Sequence, residues 1–237
     1  MMITKPLFTA LALTCALAVP VATIEARPAA RAARDWRATI AVTPEGNAVM
    51  GNPAAPIRIV EYVSYACSHC SDFAAQSRAR LEGDWIRSGQ VSLERRATVL
   101  ENQPFALVAA LTVQCGAPAR WFANGDAMLA AQPQWVPKVL DPALQKKWNA
   151  QPANRYAITM AHDLGFYELM QKRGYSAPQL DMCLTDQAKL KAILASTNYG
   201  FVTLGISGTP SFMINDSLLS FYDWPNLEGL IEAMLPQ

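Results

Sequence analysis

The stretch IVEYVSYACSHCSDF, residues Ile59 to Phe73, decides how this sequence folds. Its first part belongs to the run IRIVEYVS, whose β-branched and aromatic residues predict a buried strand. From Cys67 onward the apolar residues, Phe73 and Leu81 among them, are spaced for one face of a helix. The pair Cys67 and Cys70, spaced C-x-x-C, therefore marks the point where a strand passes into a helix.

The sequence on either side of this stretch predicts an α/β domain with a helical block in its middle. VSLERRATVL reads as a second strand, and its place after the helix indicates a parallel β-α-β unit. After a long, almost wholly helical stretch, PSFMIN and SLLSFY read as short strands before a last helix. We assign residues 38–102 and 196–237 to the α/β domain and residues 103–195 to the inserted helical domain.

Composition limits the classes of function. The chain has 237 residues, 51% of them hydrophobic and 16% charged, which is enough to build a sizeable core. The formal net charge is +1, so there is no electrostatic basis for binding nucleic acid or an anionic membrane surface.

The N-terminus predicts export. Residues 1–26 contain an apolar run after Lys5 and read as a cleaved signal peptide, with an uncleaved anchor as the alternative. The Arg-containing residues 27–37 that follow are predicted to form a mobile arm. Cys15 lies inside the apolar run, so cleavage leaves an even number of cysteines, as expected in an oxidising compartment. These four are Cys67, Cys70, Cys115 and Cys183.

The C-x-x-C pair predicts a redox site. A thiolate at a helix N-terminus faces unpaired backbone N–H groups and the positive end of the helix dipole, which lowers the thiol pKa. A protonated His69 would add a cation beside Cys67. Because the thiolate attacks disulfides, Cys67 at the helix tip is the expected nucleophile. Cys70, one turn further in, is the expected resolving thiol.

Three other interpretations of the pair are weaker. A zinc site needs further ligands, but His162 is the only other histidine, so we predict no metal. Haem attachment needs a histidine directly after the second cysteine, where Ser71 stands. A structural disulfide is the third alternative, although the start of a helix is a poor place for one.

A second motif, GISGTPSFMIN, covers Gly205 to Asn215. Thr209-Pro210 follows a Gly-rich turn and precedes a short apolar strand. Proline belongs at the first residue or the edge of a strand, and X-Pro bonds are where cis peptides occur. A trans proline that ends a loop is the simpler alternative.

EYVSYACSHC followed much later by GTPSF resembles the DsbA-like thiol:disulfide oxidoreductases of the thioredoxin superfamily. The resemblance covers most of the chain after the signal and implies a thioredoxin-like fold with an inserted helical domain. It implies that Cys67 and Cys70 form the redox-active disulfide, with no other cofactor, and that Pro210 is a cis-proline facing it. Thr209 would offer its backbone to a substrate strand. The resemblance also places Ser68 in contact with the substrate. A proline is common at this position in the family, and because the two residues between the cysteines tune the redox potential, the serine is expected to change it.

Glu61 is the one carboxylate in the predicted buried strand, and it matches the family's buried acid. A carboxylate is costly to ionise when buried, so Glu61 could hold a proton near a buried thiol, accepting and returning it. The alternative is a strand-end glutamate whose head group lies in water.

Cys115 and Cys183 lie in apolar helical surroundings without any motif that indicates reactivity. Leftover thiols seldom stay free in an oxidising compartment, and some DsbA-like proteins carry a second, non-catalytic disulfide in their helical domain. We therefore predict a structural Cys115–Cys183 bridge. Two buried free thiols, acting as small apolar residues, are the alternative.

Together these features predict an exported, periplasmic, monomeric oxidoreductase that passes its disulfide to reduced proteins through a mixed disulfide. The family further implies reoxidation by a quinone-linked membrane partner resembling DsbB. A disulfide isomerase or reductase of the same fold is the alternative enzyme. About 30 residues precede the first strand, too few for the dimerisation domain of well-known isomerases. A thioredoxin-fold peptide-binding or chaperone module, whose disulfide no longer cycles, is the non-enzymatic alternative.

Overall fold

The computed structural model describes residues 1–2, 34–100 and 103–235, and these are the residues discussed below. The chain divides into two units, Met1–Ala32 and Ala33–Gln237, and the second contains every element described here. The predicted signal peptide, with Cys15, lies outside the described residues apart from its first two positions. Within the described part of the chain, no helix has both the length and the apolar character needed to cross a membrane.

Six strands form one mixed sheet in the order β1-β2-β4-β3-β5-β6. The central strands β3 and β4 run parallel, and all the other neighbours are antiparallel. The strands are β1 (Ile40–Val42), β2 (Ala48–Gly51), β3 (Ile57–Val63), β4 (Val91–Ala97), β5 (Ser211–Ile214) and β6 (Ser217–Leu218).

The predicted β-α-β unit is present. Helix α1 (Ser68–Arg80) continues as a wider π-type segment, Leu81–Ile86, and connects β3 to β4. Gly89 ends this connection with a left-handed φ of +87°, a conformation that L side chains rarely adopt. The parallel register places Glu61 directly beside Arg95. The sheet therefore brings a carboxylate and a guanidinium together in its centre.

The helical block follows β4, as the sequence predicts. Ser176 and Gln179 form a capping box at the start of one of its helices, and Pro104 opens the first helix. The helices are α2 (Pro104–Val113), α3 (Trp121–Ala130), α4 (Gln132–Trp135), α5 (Pro142–Asn149), α6 (Ala153–Leu164), α7 (Phe166–Gln171), α8 (Ala177–Leu184) and α9 (Gln187–Asn198). Short 3-10 helices, Pro118–Arg120 and Val136–Leu140, lie between them, and α9 ends in a π-type segment, Tyr199–Leu204.

Two hydrophobic cores hold the two parts together. One lies between the sheet, α1 and the C-terminal helix α10 (Trp224–Met234), and includes Phe73, Phe212 and Leu227. The other fills the helical block and extends to the active-site end of the sheet, where it includes Cys70. The active-site helix α1 therefore has one side on each core.

Of the predicted mobile arm, residues 27–37, the first seven residues lie outside the described part of the chain. At its end, Trp36–Ala38 forms a 3-10 helix capped by the Asp35 side chain. The Trp36 ring packs so closely on Gly89 that a Cβ on the glycine would lie 2.6 Å from it. No local pattern indicates this contact, because it joins residues far apart in the chain.

Candidate active site

Cys67 is the N-cap residue of α1, with extended backbone angles of φ −87° and ψ 123°. Its backbone N–H donates to the Ser64 carbonyl at 3.1 Å, which closes the turn between β3 and the helix. Its thiol is half-buried, whereas Cys70, in the first turn, is fully buried. Ser68 and His69 between them are more open to solvent than Cys70. The C-x-x-C pair thus presents one accessible and one inaccessible sulfur.

The two thiols differ in acidity. The pKa of Cys67 is lowered from 9.0 to about 5, mainly by the hydrogen bond from the Cys70 thiol, against the opposing effect of burial. Backbone N–H groups of Cys70 and His69 lower it further. Burial raises the pKa of Cys70 well above 9.0, and the neighbouring Cys67 sulfur raises it more. At neutral pH, Cys67 is the thiolate and Cys70 holds the proton.

The His69 backbone N–H contributes to the low pKa of Cys67. The His69 ring lies edge-on to Tyr222, with 6.1 Å between the ring centroids. The contribution of the helix N-terminus agrees with the sequence analysis, and the added effect of a protonated His69 side chain stays a prediction.

The thiolate absorbance of the reduced protein should titrate with a midpoint near pH 5 rather than near 9.0. Because the folded-state pKa is depressed, this ionisation stabilises the reduced protein fully above pH 9. That stabilisation is lost as the pH falls through 5. Ultraviolet absorbance against pH measures the midpoint, with a Cys67→Ser variant as the blank. A midpoint near the free-thiol value would contradict the structure.

The Thr209-Pro210 motif lies next to the Cys67–Cys70 pair, at the end of the sheet where β3 leads into α1. The Thr209–Pro210 peptide is cis, Pro210 is buried, and the strand β5 begins at the next residue. The Cys67 sulfur lies 3.0 Å from the Thr209 carbonyl oxygen, to which it can donate only when protonated. The Thr209 hydroxyl is buried and has no hydrogen-bond partner among the described residues. The structure therefore has the cis arrangement, not the trans loop proline that was the alternative.

Glu61 is fully buried, so the alternative of a head group in water does not hold. Its Oε2 accepts from Arg95 Nε at 2.8 Å, and the Arg95 side chain is only 6% exposed. Its Oε1 has no hydrogen-bond partner among the described residues. The sequence treated Glu61 as an isolated buried acid, and this was incomplete, because an arginine from the adjacent strand compensates its charge.

Three site residues were missed by sequence reasoning. Arg95 could have been suspected, since LERRAT places two arginines in a strand predicted to pair with the strand before Cys67. Asp126 in α3 accepts from Arg95 Nη1 at 2.8 Å. Gln132 in α4 donates to the carbonyls of Tyr65 at 2.8 Å and Cys67 at 3.0 Å, so it holds the loop before the active-site helix. Neither Asp126 nor Gln132 carries a local signal, because both come from the inserted helices.

The remaining cysteines of the described chain, Cys115 and Cys183, are joined in a disulfide in the helical block. Cys115 follows α2 and is fully buried, and Cys183 lies in α8. Both are therefore unavailable for exchange at the C-x-x-C pair. Among the described residues, no three His, Cys, Asp or Glu side chains come together in a way that could hold a metal ion.

The family model described as Thioredoxin matches residues 43–233. This chain belongs to the thioredoxin family. A crystal structure of a protein-disulfide isomerase from Novosphingobium aromaticivorans is 34% identical, covers 80% of this chain and 97% of its own, and superposes with a TM-score of 0.74. Alpha-DsbA1 from Wolbachia pipientis is 20% identical over 81% of this chain and 92% of its own, with a TM-score of 0.59.

Curated relatives agree with this assignment. A Rickettsia bellii protein named "Putative protein-disulfide oxidoreductase" is 22% identical over 81% of this chain and 66% of its own length. A similarly named Rickettsia typhi protein is 23% identical over 79% of this chain and 61% of its own. The chain thus spans about two thirds or less of these relatives. The thioredoxin-like fold and the resemblance to DsbA-like oxidoreductases are confirmed.

Proposed function

We propose that the protein is an exported dithiol-disulfide oxidoreductase that introduces disulfides into other exported proteins. The contrast between the two thiols carries the proposal: Cys67 is accessible and has a pKa of about 5, whereas Cys70 is buried and protonated. A stabilised thiolate favours the reduced form, and a protein whose reduced form is favoured is a strong oxidant of other thiols. Two electrons then pass from substrate to protein.

The exchange proceeds in two displacements. A substrate thiolate attacks the Cys67 sulfur of the Cys67–Cys70 disulfide, and Cys70 leaves as a thiolate that takes up a proton. A second substrate thiolate attacks the substrate sulfur of the mixed disulfide and expels Cys67, whose low pKa makes it a good leaving group. Thr209 lies against Cys67 to align a substrate strand, and Ser68 and His69 flank the entry.

Glu61 is proposed to exchange a proton with Cys70. It donates the proton to the Cys70 thiolate when Cys70 leaves the disulfide, and it accepts the proton from the Cys70 thiol when Cys70 attacks a mixed disulfide. We expect Glu61→Gln to slow release of Cys70 about tenfold or more, because proton transfer then depends on water reaching a buried sulfur. Single-turnover kinetics with a reduced peptide measures the step. Glu94→Gln is the matched control: this glutamate lies in the adjacent strand, beside Val60, and pairs with Arg96 instead. Equal rates in wild type and Glu61→Gln would assign Glu61 a structural role.

The partners follow from the same proposal. Substrates are reduced, partly folded exported proteins, and a quinone-linked membrane oxidase resembling DsbB returns the protein to its oxidised form. The Cys115–Cys183 disulfide supports an oxidising, periplasmic location, since such bridges persist there. The protein acts as a monomer in this scheme.

A disulfide isomerase is the second candidate, favoured by the similarity to the Novosphingobium protein-disulfide isomerase, which is 34% identical. The redox equilibrium with glutathione separates the two. We expect reduced glutathione to reduce Cys67–Cys70 even when oxidised glutathione is abundant, as a strong oxidant requires. An equilibrium that keeps the pair oxidised at such ratios would favour the isomerase or reductase. No exchange with glutathione would contradict both.

A further inference from the structure

One buried guanidinium faces three carboxylates from three different elements. Arg95 in β4 lies 2.8 Å from Glu61 in β3, 2.8 Å from Asp126 in α3 and 3.9 Å from Glu82 after α1. The planar fork of the guanidinium directs Nε to Glu61 and Nη1 to Asp126. Glu61 belongs to the sheet, whereas Asp126 comes from the inserted helical block. Arg95 thus forms one ion pair within the sheet and another with the inserted helical block.

Asp126 connects this buried group to the surface. Its carboxylate also pairs with Arg78 of α1, whose side chain is 55% exposed, while that of Asp126 is 11% exposed. Both residues line, together with Arg173, an open cavity of about 360 Å³ between α1 and α3. We call Arg95, Glu61, Glu82, Asp126 and Arg78 the Arg95 cluster.

Glu61 is the member of the Arg95 cluster whose charge acts on the resolving thiol. The titratable groups that act on Cys70 are Cys67 on the same helix and Glu61 on β3, and both raise its pKa in addition to the effect of burial. Tyr65, which follows β3, is coupled to Arg95, Glu61 and Cys70, and burial raises its pKa far above its usual range. A unit charge has a larger effect here than in water, because the surroundings are of low dielectric.

We propose that Asp126 is a positioning residue for thiol exchange: it binds the edge of Arg95 that Glu61 leaves free, and so sets how far Arg95 compensates the charge of Glu61, which acts on Cys70. This inference rests on the proposed function, because it assigns Asp126 to the step in which Cys70 attacks the mixed disulfide. Without the Asp126 carboxylate, Arg95 is less compensated and the Cys70 thiolate is stabilised. Without Arg78, Asp126 is less compensated and the thiolate is disfavoured.

The test measures the rate at which Cys70 resolves a Cys67–glutathione mixed disulfide. Reduced protein is mixed with excess oxidised glutathione, and the first-order step that follows formation of the mixed disulfide is recorded from pH 6 to 8. We expect Asp126→Asn to accelerate this step roughly threefold and Arg78→Gln to slow it by a similar factor. Asp84→Asn is the control, since it removes a carboxylate from an exposed pair with Arg80.

The opposite signs distinguish charge from packing. A substitution that merely loosened the site would expose Cys70, lower its pKa and accelerate the step in both variants. Unchanged rates, or changes in the same direction, would overturn the inference. If Asp126→Asn does not fold, Arg78→Gln decides alone, and only slowing supports the inference. Failure of the proposed function looks different: the glutathione equilibrium would keep the wild-type Cys67–Cys70 pair oxidised, or no mixed disulfide would form at Cys67, whatever the order of the variant rates.

Discussion

A Cys67→Ser variant is expected to oxidise substrate thiols no faster than the uncatalysed reaction. The two free cysteines in the described part of the chain are Cys67 and Cys70, and only Cys67 has an accessible sulfur. Cys70 is buried and protonated, so a substrate in solution cannot reach its sulfur and it cannot replace Cys67. Recovery of activity by reduced, unfolded ribonuclease, added as substrate, measures the transfer. The loss should be complete rather than partial, because the variant has lost the sulfur that forms the mixed disulfide.

The companion variant, Cys70→Ser, should behave differently. Its Cys67 thiolate remains accessible and attacks a disulfide of an oxidised substrate, with a substrate thiolate leaving. Because no Cys70 resolves the product, a long-lived mixed disulfide with that substrate should accumulate. Non-reducing electrophoresis followed by mass spectrometry identifies the linked peptide. The assignment of roles would be wrong if Cys67→Ser kept its transfer activity, or if Cys70→Ser released substrate as rapidly as wild type.

Structural features that depend only on neighbouring residues in the chain could be predicted from the sequence. The change from strand to helix at Cys67 follows from a change of hydrophobic period. Thr209-Pro210 was different: local residues favoured a trans loop, and the cis peptide was predicted because of the family resemblance. The candidate site could be assembled only because both motifs lie at one end of the central strands.

Features that depend on register and packing were not predictable. Glu61 was expected to be an isolated acid, because nothing in the sequence fixes which residue of β4 lies beside it; the parallel register makes that residue Arg95. Gln132 and Asp126 reach the site from helices whose placement depends on the packing of the whole inserted block. Their electrostatic effects follow from three-dimensional proximity, which a single sequence does not contain.

Removing the Cys115–Cys183 disulfide is expected to destabilise the protein by about 4 kcal/mol in the chain-entropy view. The two cysteines are separated by 68 residues, so the bridge closes a loop through most of the helical block. Breaking it allows the unfolded chain many more conformations, while the folded state changes little. In a Cys115→Ala, Cys183→Ala double variant, the midpoint of urea unfolding should fall markedly with little change in slope.

The exchange reaction provides the control for this prediction. Because the bridge lies in the helical block, the double variant should still transfer disulfides through Cys67 at a temperature where it is folded. Peptide mapping without reduction should find a Cys115–Cys183 linked peptide, and mild reductant should open Cys67–Cys70 first, since Cys115 is fully buried. Alkylation of both Cys115 and Cys183 in the unfolded, unreduced protein would show that the bridge does not form. An unfolding midpoint equal to that of wild type would show that the bridge does not stabilise the protein.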